Sequence, residues 1–182
     1  MTTLIKLAPG QTFMDTLKFY EKPINSSGYV YPCTLEEIEQ QLQNYPRKDI
    51  EGLYAVGLGP RCRSERTLMG FYERGKRPLI ELKAYPSTLC ERLPRYCQIG
   101  KSQRHLAVAI RHGMLLERER GWLYCKWQYD QLKRHMLEFI LSHEVAHHVF
   151  DTQIARKTCC TYTKEANESF ADEYARRFCK FG

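Results

Sequence analysis

Apolar residues return at steps of three and four through Gln131 to Phe150: Leu132, Met136, Phe139 and Ile140 define a stripe whose extension falls on 143, 147 and 150. This period is that of a helix, and the absence of Gly and Pro, with Asp130 as N-cap, predicts that it runs unbroken. Leu137, Leu141, Val145 and Val149 make it apolar nearly all round, as expected of a helix through the middle of a domain. A second helix is predicted over Glu165 to Ala175, where Phe170, Tyr174 and Phe178 form an apolar row beside Glu165, Glu168 and Asp172. Upstream, Thr34 and Glu37 form a capping box that opens a helix ending near Tyr45, before Pro46. Three strand-like runs follow, 52–58, 68–73 and 79–85, the last two joined by a turn at Glu73-Arg74-Gly75-Lys76. Ser102 to Glu119 reads as a helix with Leu106, Ala109, Ile110 and Leu115 on one face.

The two positions that continue the buried stripe are histidines. In His143-Glu144-Val145-Ala146-His147 the imidazoles lie four residues apart on one helical face, where both can reach one zinc ion at about 2.0–2.1 Å. An unpaired imidazole on a buried face is unfavourable, and a metal satisfies it. Glu144 sits one position round the helix, placed to act on a water at the metal without being a ligand. A catalytic zinc takes a third protein ligand, and the link from Phe150 to Thr163 is long enough to bring the second helix back antiparallel.

His143-Glu144-x-x-His147 followed by Asn167-Glu168-x-x-Ala171-Asp172 resembles the gluzincin class of metallopeptidases. Thermolysin-like members show Asn-Glu with an Asp four residues on. The prenyl-peptidase and heat-shock membrane protease family, and the small soluble minigluzincins, show Glu-x-x-Ala-Asp, and this chain satisfies both spellings over about 30 residues at its C-terminal end. The resemblance implies one Zn2+ per chain held by His143, His147 and Glu168, with Asp172 accepting the other ring N–H of His143. It implies Glu144 as the catalytic base of peptide-bond hydrolysis on a peptide or protein substrate. It also implies an α+β, zincin-like fold: N-terminal helix, small mixed sheet of three or more strands, active-site helix and glutamate helix. In such folds a sheet edge above the metal pairs with extended substrate, and 79–85 is the expected edge.

Other patterns fit less of the chain. A metzincin requires Gly and His where Phe150 and Gln153 stand. Regulatory metallopeptidases that act on one repressor partner share Glu165-Ala166-Asn167 before Phe170-Ala171, which would make Glu165 a rival ligand. A zinc-stabilised binding module without catalysis is the third reading, and it gives Glu144 no duty. Tyr162, Tyr174 and His148 are the candidates to steady the oxyanion, while His105 and His112 read as ordinary surface or boundary residues.

Composition constrains the rest. The 182 residues form one domain, with 1–33 as an N-terminal extension and 87–129 as an insert outside the resemblance. No apolar run spans a membrane and Met1 to Lys6 opens no signal peptide, so the expected location is cytoplasmic. The first 30 or so residues, ending in Asn25-Ser26-Ser27-Gly28, lack strong periodicity and are expected to drape over the domain or its cleft. Eight cysteines contain no Cys-x-x-Cys and are expected to be buried or boundary thiols. The net charge of +7 concentrates around Arg61, Arg63, Arg66, Arg74, Lys76 and Arg77 and in the insert, but interspersed Glu65, Glu73, Glu117 and Glu119 argue for solvated faces over nucleic-acid binding.

Overall fold

A computed structural model describes residues 16–61, 69–94, 102–155 and 162–179. Thr34 closes the N-terminus of α1 (Leu35–Leu42) through the predicted box: its Oγ1 accepts the Glu37 N–H at 3.2 Å while its own N–H donates to Glu37 Oε2 at 2.9 Å. Ile38 and Leu42 bury the inner face of this helix, and a short α2 (Arg47–Ile50) follows Pro46.

Beside these helices lies a mixed sheet in the order β1-β3-β5-β4. β1 (Lys18–Glu21), β3 (Ala55–Gly59) and β5 (Leu79–Lys83) run parallel, and β4 (Gly70–Glu73) returns antiparallel along β5. Val56, Leu58, Ile80 and Leu82 are fully buried on its inner face. A small ladder joins β2 (Tyr29–Val30) to β6 (Tyr85–Pro86).

Here the structure corrects the expected edge. Strand 79–85 is interior, because β4 folds back on one side of it and β3 lies on the other. Its alternation misled because Glu81 and Lys83 are buried, not solvated. Glu81 accepts from Tyr20 Oη at 2.9 Å and from Lys83 Nζ at 2.8 Å, and pairs with Lys22. Residues 18–21 of the N-terminal extension likewise form an edge strand instead of draping.

The insert forms a second sheet and a helix. β7 (Cys90–Pro94), β8 (Leu115–Glu119) and β9 (Trp122–Lys126) pair antiparallel in the order β7-β9-β8, and α3 (Ser102–Arg111) precedes β8. The helix predicted to reach Glu119 therefore stops eight residues early. Gly113 takes φ +100°, its N–H returns to Ile110 and the Met114 N–H to Ala109, the bond pair by which a left-handed glycine ends a helix.

The long central helix begins at Tyr129, not after Asp130, and Gln131 Oε1 accepts the Gln128 N–H at its start. It runs as α4 (Tyr129–His135), a π-helical turn at Met136–Ile140, α5 (Leu141–Val149) and a second π-helical turn at Phe150–Ala155. At the first turn the Leu141 N–H reaches back five residues to Met136 O. α6 (Lys164–Arg176), capped by Thr163 Oγ1 on the Ala166 N–H at 3.2 Å, packs against α5. Ala146, Ala171 and Ala175 are fully buried, so small side chains let the two helices approach closely. The predicted aromatic row anchors the outer side of α6: Tyr45 packs on Tyr174 and Phe178, and Tyr174 Oη donates to Asp49 Oδ2 at 2.7 Å.

The architecture is α+β, and among the described residues no helix is long and apolar enough to cross a membrane. Cys33 and Cys125 are buried thiols, and Cys90 and Cys179 are half-buried thiols. Residues 1–15, Cys62, Cys97, Cys159 and Cys160, and Arg63, Glu65, Arg66 and Lys101 lie outside the described residues. Several basic side chains are paired, Arg61 with Glu91 at 2.7 Å and Arg74 with Asp151 at 3.2 Å.

Candidate metal centre

The helical spacing of four brings the rings of His143 and His147 edge to face, with their Nε2 atoms 3.1 Å apart. Glu168, carried in by α6, lies 3.5 Å from His143 Nε2. Ligand atoms of these three residues all fall within 4.8 Å of one another. Glu165, the rival ligand, is exposed on the first turn of α6 and does not join them.

Both outer nitrogens face acceptors, His147 Nδ1 through a hydrogen bond and His143 Nδ1 through an ion-pair contact. His143 Nδ1 is 3.2 Å from Asp172 Oδ1, and His147 Nδ1 is 2.9 Å from Asn167 Oδ1. A carboxylate accepts only, and an amide oxygen accepts, so both rings carry their proton on Nδ1. Their Nε2 lone pairs therefore converge on one point. Two lone pairs 3.1 Å apart repel unless a cation lies between them, and with the nearby carboxylate the three residues form a group that could hold a metal ion.

When no metal is bound, a proton takes that place. Burial by itself would drive the proton from His143, but Asp172, Glu168 and Glu144 outweigh it and raise its pKa to about 9. His147 is lowered, first by burial and then by the charge on His143. Asp172 resists the upward push of burial because His105 donates to it and the His143 ring lies 3.2 Å away, which together hold it well below the usual carboxylate range. Metal binding must displace the shared proton. Calorimetry in buffers of different ionisation enthalpy is expected to show about one proton released per ion at pH 8, falling toward zero as pH passes 9. In the metal-free chain the charged His143 stabilises the fold below pH 6.5, and this contribution is lost as pH rises through about 9.

Glu144 occupies a different environment. It is buried, and burial raises its pKa to about 7 even though the Tyr72 backbone N–H donates to it. That amide comes from β4. Lys83 N–H bonds Met69 O at 2.8 Å, so in the antiparallel register the backbone groups of Gly70 and Tyr72 point away from β5 toward the open edge. Gly70 is required for clearance there. A Cβ on it would stand 2.7 Å from Ile140 Cγ2, 3.2 Å from Glu144 Cγ and 3.3 Å from Glu144 Oε1. Gly70→Ala is expected to push Glu144 off its place and lower any hydrolytic turnover by about tenfold or more. Metal affinity, measured by competition with a chelator, should stay unchanged.

The sequence reading missed two residues of the site. In the sequence Asn167 is only part of a motif, yet its side chain fixes the tautomer of His147. His105, read as an ordinary surface or boundary histidine, places Nε2 2.7 Å from Asp172 Oδ1 and packs edge-on to His143 with ring centroids 4.7 Å apart. Nothing local to α3 marks it, because its partners lie on two other helices. None of the three residues considered for the oxyanion lines the cavity at the site. Tyr174 is committed to Asp49, and His148 bonds Glu51 O at 2.9 Å and faces Tyr72 Oη at 3.4 Å. Tyr162 is exposed against Phe150.

A cavity of about 450 Å3 opens from the His143, His147 and Glu168 cluster, bordered by β4 on one side and by the insert on the other. Comparison with protein-family models finds no match, and neither does comparison with curated proteins or with solved structures.

Proposed function

We propose that the chain is a zinc metallopeptidase of gluzincin type on a zincin-like fold, hydrolysing peptide bonds in the cavity beside α5. The observation that carries this reading is the convergence of two Nε2 lone pairs and the Glu168 carboxylate, with Glu144 beside them but not among them. His143, His147 and Glu168 would hold the ion, while Asp172 and Asn167 keep both rings in the tautomer that presents Nε2. Zinc when bound supplies Lewis acidity, polarising the scissile carbonyl and making a water acidic near neutral pH.

The chain's own residues do the rest. Glu144, with a pKa near 7 before metal binds, is suited to accept a proton from water and return it to the leaving nitrogen. The Tyr72 N–H and the clearance at Gly70 hold that carboxylate in place. An extended peptide lying along the open edge of β4 can use the outward backbone groups of Gly70. A non-catalytic binding module gives no reason for burying Glu144, since the burial that raises its pKa also destabilises the fold at neutral pH.

The test is metal analysis of the purified chain together with hydrolysis of a mixed peptide library. The expected result is about one zinc per chain, cleavage lost on chelation and cleavage restored by zinc. Failure to bind zinc at His143 and His147 would overturn the reading.

A further inference from the structure

The cavity is not uniform along its length. Away from the metal cluster its wall is mainly apolar, with Leu93, Met114 and Trp127 contributing, and one buried imidazole, His135, belongs to it. His135 is 2% exposed, stacked on Phe139 at 5.4 Å between centroids and tilted on Trp127 at 5.0 Å, so its ring plane is fixed. Neither the hydrolytic residues nor the metal cluster uses it.

Its tautomer follows from a chain of three groups. Glu138, held by Arg134 Nε at 3.2 Å, presents Oε2 3.5 Å from His112 Nε2. That contact is an ion-pair approach and not an aligned hydrogen bond, but a lone pair facing a carboxylate is repelled and a proton there is attracted, so His112 carries its proton on Nε2 and is bare on Nδ1. His112 Nδ1 lies 2.9 Å from His135 Nδ1. Burial lowers the pKa of both rings and keeps them neutral, so this contact has one donor, and it is His135. The polar atom His135 has left to offer the cavity is then Nε2, a lone pair in apolar surroundings. Such a group calls for a hydrogen-bond donor.

We propose that this cavity is a specificity pocket for tyrosine, the phenol ring of a substrate residue next to the cleaved bond filling the space by Trp127 and its hydroxyl donating to His135 Nε2. A serine would leave the space empty, and a lysine would bury a charge against a mainly apolar wall whose Glu91 is already paired with Arg61. A phenylalanine would fill it but leave the lone pair unmet. The proposal rests on the peptidase reading for the position of the cut, but not for the pocket itself.

Three measurements test it. Binding of N-acetyl-tyrosinamide and N-acetyl-phenylalaninamide to the metal-free chain, followed by NMR titration, is expected to favour tyrosine by about tenfold, the value of one added hydrogen bond. His135→Phe should abolish the difference, and equal binding by the original chain, or a preference that survives in the variant, overturns the pocket. Because that substitution removes a polar contact in the core and can unfold the chain, the 15N spectrum of the unaltered protein provides a second measurement. His135 should be protonated on Nδ1 and bare on Nε2, and the opposite tautomer overturns the proposal. Third, zinc-loaded chain is offered peptide pairs that differ only by Tyr or Phe beside the cut. Cleavage without preference overturns the pocket alone, whereas tyrosine-selective binding with no cleavage of any peptide supports the pocket and overturns the peptidase reading.

Discussion

Glu144→Gln is expected to lower peptide hydrolysis by about 10²–10⁴-fold while zinc affinity stays within a few-fold. The amide keeps the shape of the carboxylate and its contact with the Tyr72 N–H but cannot take a proton. Zinc would be held by other residues, so metal content separates loss of the base from loss of the site. The same substitution has a second consequence in the metal-free chain. The carboxyl of Glu144 has its pKa raised from 4.5 to about 7, so burying it is unopposed below pH 4.5 and increasingly unfavourable as pH rises through 7. Metal-free Glu144→Gln should be more stable than the original chain at pH 8, by up to about 3 kcal/mol, with no difference near pH 4. Urea denaturation at the two pH values reads both ends. Unchanged hydrolysis in the variant would remove Glu144 from the chemistry.

Glu168→Ala is expected to weaken zinc binding by more than the roughly 10–100-fold that follows loss of a residue supporting a ligand. Glu165→Ala should leave it unchanged. The two carboxylates lie three residues apart on the same helix, yet Glu165 is exposed on its first turn while Glu168 faces His143 Nε2 at 3.5 Å. Asp172→Ala should fall between them, because it releases the His143 ring without removing a ligand. Competition with a chromophoric chelator ranks all three. Equal losses for Glu165 and Glu168 would mean that α6 docks in another register.

Much of the site could be read directly from the chain. His143 and His147 share a face because four residues nearly complete a turn, and Thr34 with Glu37 caps α1 by contacts three residues apart. Residues whose partners are distant in sequence could not be read in this way. Strand 79–85 alternates like an edge, but its polar side chains meet Tyr20 and Lys22 from the N-terminal strand. The periodicity of α3 continues past its end, and only the positive φ of Gly113 shows where the chain turns into a hairpin. His105 and His112 read alike as single histidines, and their roles, like that of His135, depend on Asp172, Glu138 and the wall of the cavity.

By itself, then, the sequence determined the helical periods, the Thr34 cap of α1, the paired imidazoles and the acidic face that could answer them. These depend on contacts between residues a turn or less apart, which the helix geometry fixes once the helix forms. Tertiary structure alone decided that Glu168 and not Glu165 meets the imidazoles, that β4 is the edge which holds Glu144, and that the insert encloses the cavity. Those outcomes depend on how separate elements dock, and docking is set by the packing of small side chains such as Ala146, Ala171 and Ala175, which carry no chemistry of their own.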